Sequence, residues 1–378
     1  MVTTKRAQSL TLLLLAAARN RTDLELEYFS ETQIQWAVAS GLGPLLRRCV
    51  ANPTSTRTSP LSPLLVGSDL AARLIAAQQM DAMEEILLAC GGQIQPPTLL
   101  KGISVREQFY PEPHLRPMRD IDFLVNQDAV PIVESALHQM GYHRRSKNPP
   151  EYYETHHHTT PFFHPQKQVW VEVHRGLFPV NGPVGSDRVF SADSVAAERR
   201  PAEFRGRPVY RLSDEFQIVY LASHWASDFG RRGGMVAMLD LIYLLRSVPS
   251  IRWDRILQWL DGGAAAASVY LLLTYLARHQ LVEFPPAVLR EMSRRQRSFG
   301  RVSLGIVHAI LDRYVTNGQE FGLLMSERNF EILWDTLLLP RAPTRRLPLL
   351  FWRLLPSRVW FTRCVTGYKK STSAPGAR

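Results

Sequence analysis

The sequence predicts an α+β fold in which a small mixed sheet lies between two helical segments. Apolar residues recur at helical spacing in residues 1–92 and again in 214–340, whereas short β-branched runs concentrate in 93–213. A hydrophobic content of 45% over 378 residues is sufficient for packed cores. Residues 341–378 form a basic, apolar tail that contains no acidic residue.

The N-terminal segment contains clear helix start and stop signals. Ser30 is a capping residue ahead of an apolar helical pattern, and Gly41 interrupts that pattern. Residues 53–63, rich in Ser, Thr and Pro, predict a loop, and a further helix over 69–90 ends at two glycines. Residues 5–18 imitate a signal peptide, with a basic start and an apolar middle, but we expect them to form the first helix of the fold.

The central segment alternates between strand and helix patterns. We expect a strand over 121–125 and a helix over 128–140 that ends at Gly141. Two β-rich runs, 155–164 and 168–177, are separated by a short turn and predict a hairpin, and 208–212 predicts another short strand. From residue 214 the pattern is helical again, with breaks at 262–263 and 285–286.

Composition narrows the classes of function. The three cysteines lie far apart and form no CxxC pair, which argues against a cysteine zinc cluster and a disulfide framework and favours a reducing, cytoplasmic setting. No apolar run approaches the ~20 residues that a transmembrane helix requires. The formal charge of +11 favours anionic partners such as nucleotides, nucleic acids, acidic sugars or membrane surfaces. The same positive charge is consistent with peripheral contacts between the basic tail and such anionic partners.

Two carboxylates open the predicted strand over 121–125. Side chains alternate along a strand, so Asp120 and Asp122 share one face while Ile121 occupies the other. Neighbouring carboxylates repel each other unless a cation bridges them, and oxygen ligands indicate Mg²⁺. Upstream, Gly102 and Ser104 offer a flexible backbone and a hydroxyl, which fit a phosphate cradle at a helix start.

These residues resemble the uncharacterised nucleotidyltransferase family of the polymerase-β superfamily, which carries a signature of the form LKG…R…DIDLLV. The matching stretches lie between residues 100 and 125, with further agreement at 41–46, 171–174, 224 and 240–242. The resemblance therefore extends over most of residues 25–340. It implies a polymerase-β-like core in 93–213, between helical segments 1–92 and 214–340.

The resemblance also implies a chemistry. A nucleoside triphosphate would donate its nucleotidyl group to an acceptor hydroxyl, with Mg²⁺ held by Asp120, Asp122 and a third carboxylate. Glu172, alone among valines in 169–174, fits the third place, because it shares a strand face with His174. The predicted nucleotide-binding residues are Lys101, Gly102, Ser104 and Arg119.

The acceptor is predicted to bind against the C-terminal helices. Tyr220, His224 and Asp228 recur at four-residue spacing and therefore share a helix face. We expect this face, with His174 opposite, to line a pocket for an acceptor that the sequence does not identify: a small molecule, a peptide or RNA.

Structural alternatives remain open for each of these residues. The aspartates could lie in a solvated turn, Glu172 could form a cross-strand ion pair, and Lys101 or Arg119 could have purely structural roles. In a strand only His156 and His158 would share a face, which disfavours a metal site built from the three histidines of 156–158. The alternative functions are a degenerate nucleotide- or partner-binding module in a biosynthetic pathway and a toxin-like transferase acting on RNA.

Overall fold

The computed structural model describes residues 9–50, 62–180, 182, 184–228 and 234–317. The tail at 341–378 and most of the predicted loop at 53–63 lie outside these residues. Within the described part, none of the helices combines the length and the apolar character that crossing a bilayer requires.

Helices account for most of the described residues, and they occur before, between and after the strands along the chain. The N-terminal ones are α1 Ser9–Arg19, α2 Glu31–Ala39, α3 Gly43–Cys49 and α4 Ser62–Cys90. Those interspersed with strands are α5 Lys101–Phe109, α6 Val130–Gln139, α7 Pro150–Glu154 and α8 Ala192–Ala197. The C-terminal ones are α9 Asp214–Asp228, α10 Gly234–Ser247, α11 Trp253–Trp259, α12 Ala264–Arg278, α13 Pro286–Arg295 and α14 Arg301–Asn317.

The predicted start of α2 is confirmed in atomic detail. The Ser30 hydroxyl accepts a hydrogen bond from the Gln33 backbone N–H at 3.2 Å, and the Gln33 side chain accepts one from the Ser30 N–H at 2.9 Å. This capping box satisfies two N–H groups that a helix start otherwise leaves without partners. Gly41, which follows α2, has φ +78° and lies against Pro117, where a Cβ would come within 2.6 Å of the proline ring.

The strands form one mixed, seven-stranded sheet with the order β3-β4-β5-β2-β1-β7-β6. Their bounds are β1 Thr98–Leu99, β2 Asp120–Leu124, β3 His143–Arg144, β4 Phe162–His164, β5 Val169–His174, β6 Arg199–Phe204 and β7 Arg207–Leu212. β2 pairs parallel with β5 and β1 pairs parallel with β7, while the other pairs are antiparallel. The predicted α+β class is therefore confirmed.

The two faces of β2 and β5 have opposite chemistry. Ile121 and Phe123 pack with Val171 and Val173 into a buried apolar layer beneath α4 and α6. The register sets Asp122 beside Glu172, so the polar side chains of both strands extend from the other face. Period-two alternation thus separates the core from the candidate site.

The N-terminal and C-terminal helices share one apolar core. Leu13 and Leu14 of α1 are fully buried in the cluster that also contains Trp225 of α9, Leu239 of α10 and Leu272 of α12. Residues 9–19 therefore form an integral helix of the fold, as the sequence led us to expect. The side of the sheet that carries the carboxylates faces α9 and α10.

Three strands escaped sequence analysis and one predicted run is mostly not a strand. β1 and β3 are only two residues long and β6 contains two arginines, a proline and a glutamate, so none of them has the apolar alternation of a strand. The β-rich run over 155–164 forms a strand only at 162–164, while 155–157 bend and His158 makes one isolated bridge to His174. The prediction that His156 and His158 lie on one strand face is accordingly wrong.

Candidate functional site

A cleft of about 870 Å³ lies between the polar face of the sheet and the helices α9 and α10. This volume falls within the range of sites that hold small ligands and cofactors. Charged and aromatic side chains line it together with residues 39–41, 178–179, 182 and 184–185. Among the other lining residues are Lys101, Gly102, Arg116, Arg119, Asp120, Asp122, Tyr152, Glu172, His224 and Asp240.

Lys101 begins α5 in a backbone conformation that L-residues seldom adopt. Its φ is +42°, and its Nζ lies 3.2 Å from Oδ1 of Asp122. Left-handed backbone at a non-glycine residue costs of order 1–3 kcal/mol and is found chiefly where function requires a fixed geometry. The ion pair compensates the partial burial of Lys101, whose side chain lines the cleft.

Gly102 follows Lys101 and packs directly on the loop that enters β2. A Cβ at this position would lie 2.5 Å from Nη1 of Arg116 and 2.7 Å from Sδ of Met118, so any larger residue would displace them. Arg106, fully buried, donates two hydrogen bonds to the Arg116 carbonyl, and Gln79 donates one to the Met118 carbonyl. The loop and the start of α5 are thereby fixed against each other.

Asp122 contacts two basic side chains through one carboxylate oxygen. Nε2 of His174 lies 2.8 Å from the same Oδ1 that Lys101 contacts. One potential ligand atom from each of Asp122, Glu172 and His174 lies within 4.8 Å of the other two. The structure thus brings Glu172 to Asp122, at the close approach that a shared cation requires.

These contacts control the ionisation of Asp122 and His174. Burial disfavours the charged Asp122, but the Lys101 ammonium and the hydrogen bond with His174 outweigh burial and hold the carboxyl pKa well below its usual range. Burial likewise opposes the charged imidazole, yet the hydrogen bond with Asp122 and the nearby Glu172 carboxylate raise the pKa of His174. Glu172 has a lowered pKa because the nearby His174 imidazole, 3.7 Å away, outweighs the effect of burial.

Asp120 has the opposite perturbation. Burial, followed by the negative charges of Asp122 and Glu172, raises its pKa from 3.8 to about 7. The site therefore contains one carboxylate that is firmly ionised and a neighbour that is half protonated near neutral pH. A divalent cation would stabilise the ionised form of Asp120 and displace its proton.

We expect a measurable pH dependence from Asp120. Its folded-state pKa exceeds the unfolded value, so the native chain binds more protons, and the free energy of unfolding falls as pH rises from about 4 to about 7. Each pKa unit corresponds to ~1.4 kcal/mol, so a rise from 3.8 to about 7 makes the fall due to this group on the order of 4 kcal/mol. Urea titrations at several pH values, in metal-free buffer, measure this fall for wild type and for Asp120→Asn, which lacks the titrating group. If the unfolding free energies of the two proteins changed in parallel with pH, the prediction would be contradicted.

The other predicted site residues differ in their relation to the cleft. Arg119 is exposed and lines the cleft, as does His224, whose ring lies near Phe178 and Tyr220. Ser104 is buried within α5, where its Oγ accepts a hydrogen bond from Gln108, and His174 is fully buried against the carboxylates; neither lines the cleft. Asp228 ends α9, and its side chain lies outside the described residues.

The chain matches a known protein family. Residues 30–300 match the family described as "Uncharacterised nucleotidyltransferase", which is more than half of the chain. The chain belongs to this nucleotidyltransferase family. Among curated proteins, none matches it. Family membership supports nucleotidyl transfer as the general activity and implies a nucleotide substrate.

Sequence analysis missed one polar residue of this nucleotidyltransferase cleft, Arg116. Arg116 binds the fully buried Asp240 of α10 through two hydrogen bonds, of 3.1 and 2.8 Å, and the Tyr110 hydroxyl donates a third to the same carboxylate at 2.7 Å. The family resemblance at 240–242 included Asp240 but did not indicate its partner. Arg116 precedes the DxD pair by four residues, but no spacing rule links it to a helix 124 residues away.

Proposed function

We propose that the chain transfers a nucleoside monophosphate from a nucleoside triphosphate to an acceptor hydroxyl and releases pyrophosphate. The observation that carries this proposal is the parallel pairing of β2 with β5, which sets Asp122 beside Glu172 on the polar face of the sheet. Two carboxylates at such an approach, with Asp120 next to them, form an oxygen-rich cluster at one wall of a nucleotide-sized cleft.

The donor set fits Mg²⁺. Asp120, Asp122 and Glu172 would hold it, since carboxylate oxygens are the ligands this cation prefers, and the raised pKa of Asp120 is the expected signature of carboxylates gathered for a cation. When bound, the cation would neutralise triphosphate charge and favour the deprotonated acceptor hydroxyl. His174 lies beside Asp122 and Glu172, and we propose that it orients these carboxylates.

The chain's own residues would place the reactants. Lys101 and Arg119 supply cationic charge for the phosphate oxygens. Gly102 lines the same cleft, and its lack of a side chain leaves room for Arg116 and Met118. Ionised Glu172, partly exposed to the cleft, is placed to accept the proton of the acceptor hydroxyl. Ser104 has no part in this proposal, since it is buried away from the cleft.

A substrate screen tests the proposal directly. The full chain is incubated with each labelled nucleoside triphosphate, Mg²⁺ and pools of sugar, metabolite, peptide and tRNA acceptors, while pyrophosphate release and label transfer are followed. Transfer to one acceptor class supports the proposal. Tight nucleotide binding without transfer in any pool would instead support a nucleotide-binding module.

We expect His224 to act on the acceptor side of the cleft. His224→Ala should lower the turnover number about tenfold while the nucleotide Kd stays within about twofold, because the triphosphate is assigned to residues on α5 and β2. Single-turnover kinetics together with calorimetric nucleotide binding separate the two effects. His143→Ala, at an exposed position on β3, is the matched control and should change neither. Equal losses of turnover and nucleotide affinity would remove His224 from the acceptor wall.

A further inference from the structure

The segment between α7 and β4 carries three consecutive histidines and is held rigidly. The His157 carbonyl accepts hydrogen bonds from the backbone N–H groups of Arg175 and Gly176, at 2.8 and 3.1 Å, and the Thr159 N–H donates to the Val173 carbonyl at 2.9 Å. The backbone of this segment is thus held against the end of β5.

The bend gathers the three imidazoles into one cluster. The ring centroids of His156, His157 and His158 are 4.2, 4.3 and 4.8 Å apart, and one nitrogen from each ring lies within 4.8 Å of the other two. A strand would have directed alternate rings to opposite faces, so the bend creates the cluster.

Two nitrogens of this cluster lack the hydrogen-bond partners that buried imidazoles usually have. Nδ1 of His156 and Nδ1 of His157 are buried, and neither forms a hydrogen bond within the described part of the chain. Nδ1 of His158 is 2.7 Å from the Thr159 carbonyl, an arrangement in which Nδ1–H donates and Nε2 keeps its lone pair. Metal-binding histidines commonly have this backbone partner.

The surrounding charges permit a cation. An imidazole of ordinary pKa is mostly neutral at pH 7, so the three rings can present lone pairs to a cation. Oε2 of Glu172 lies 3.7 Å from Nε2 of His158 and contributes negative charge. The nearby Arg175 guanidinium donates hydrogen bonds to the backbone carbonyls of Tyr153 and His156, whose oxygens stabilise its positive charge.

We propose that His156, His157 and His158 form a second cation site, selective for a borderline transition metal such as Zn²⁺ over Mg²⁺. Imidazole ligands favour such metals, whereas Mg²⁺ requires oxygen ligands. Three protein ligands leave one position of a tetrahedral zinc ion open, and all three residues line the cleft, so that position is available to water or to an oxygen of the acceptor. The site does not depend on the proposed transferase activity.

Zinc binding without nucleotide tests this site. The full chain, stripped with chelator, is titrated with Zn²⁺ by calorimetry, and Co²⁺ absorption spectra report the coordination of the wild type. Replacing both His156 and His157 by alanine should abolish one binding event or weaken it at least about 100-fold. Two controls, His143→Ala and Asp122→Asn, should keep that event, although Asp122→Asn abolishes the proposed transfer.

Each result of the zinc titration either supports the histidine site or overturns it. Failure of the wild type to bind Zn²⁺ overturns the site, as does zinc binding that the histidine variants leave unchanged. A single binding event lost equally in Asp122→Asn would place the ion at the carboxylates and would also overturn it. Circular dichroism checks that each variant folds; if the double variant unfolds, His157→Asn is titrated instead, with the same criteria.

Discussion

Asp122→Asn should lower nucleotidyl transfer at least about 10³-fold while the chain still folds. Asp122 is the carboxylate that approaches both Glu172 and His174, and a neutral amide cannot hold a divalent cation between them. Adding Asp120→Asn should also abolish the Mg²⁺-dependent rise in melting temperature that nucleoside triphosphate causes. Pyrophosphate release and thermal denaturation are the two measurements.

The control for this variant is Asp128→Asn, an exposed aspartate just beyond β2 that does not line the cleft. It should retain wild-type transfer and the wild-type thermal shift. The two aspartates should also differ in metal-free buffer: Asp120→Asn removes a repelled carboxyl and raises stability, whereas Asp122→Asn leaves Lys101 and His174 without their counter-ion and lowers it. A double variant with the wild-type Mg²⁺-dependent shift would show that the cation binds elsewhere.

Asp240→Ala should lower the free energy of unfolding by about 3–5 kcal/mol. The carboxylate is fully buried and accepts hydrogen bonds from Arg116 and Tyr110, so its removal leaves a guanidinium and a hydroxyl without their acceptor. Urea denaturation followed by tryptophan fluorescence measures the loss. Asp261→Ala, at an exposed position before α12, is the control and should change stability by less than about 0.5 kcal/mol.

A compensating variant distinguishes charge burial from packing. Replacing Arg116 by Met and Asp240 by Leu together removes both charges and keeps most of the volume, so stability should recover by more than half of the loss. Failure to recover would show that the hydrogen-bond geometry, including Tyr110, is what stabilises the contact between this loop and α10. A wild-type stability for Asp240→Ala would contradict the buried ion pair itself.

Features that depend only on residues close together in the sequence could be predicted from local patterns. Ser30 and Gln33 predicted the start of α2, because a capping box joins residues only three positions apart. The DxD pair predicted its own strand face, since alternation is a property of any strand. Valines around Glu172 predicted in the same way which side of β5 is apolar.

The tertiary structure decided everything that joins distant segments. Asp122 is 50 residues from its partner in β5, and only the parallel register shows that the two carboxylates meet. Arg116 and Asp240 are 124 residues apart, and local periodicity does not encode such a pair. The sequence placed Ser104 with the phosphates and His174 opposite α9, but helix packing buried the first and strand pairing set the second against Asp122.

The histidines of 156–158 show the same division. Their composition suggested a metal, and the strand pattern argued against one, because a strand separates adjacent side chains. Hydrogen bonds from the end of β5 bend the segment and gather the rings instead. The sequence by itself determined the α+β class, the carboxylate pair and the family resemblance, since these follow from contiguous residues. The approach of Asp122 to Glu172, the buried ion pair of Arg116 with Asp240 and the histidine cluster required the fold, because long-range packing alone creates them.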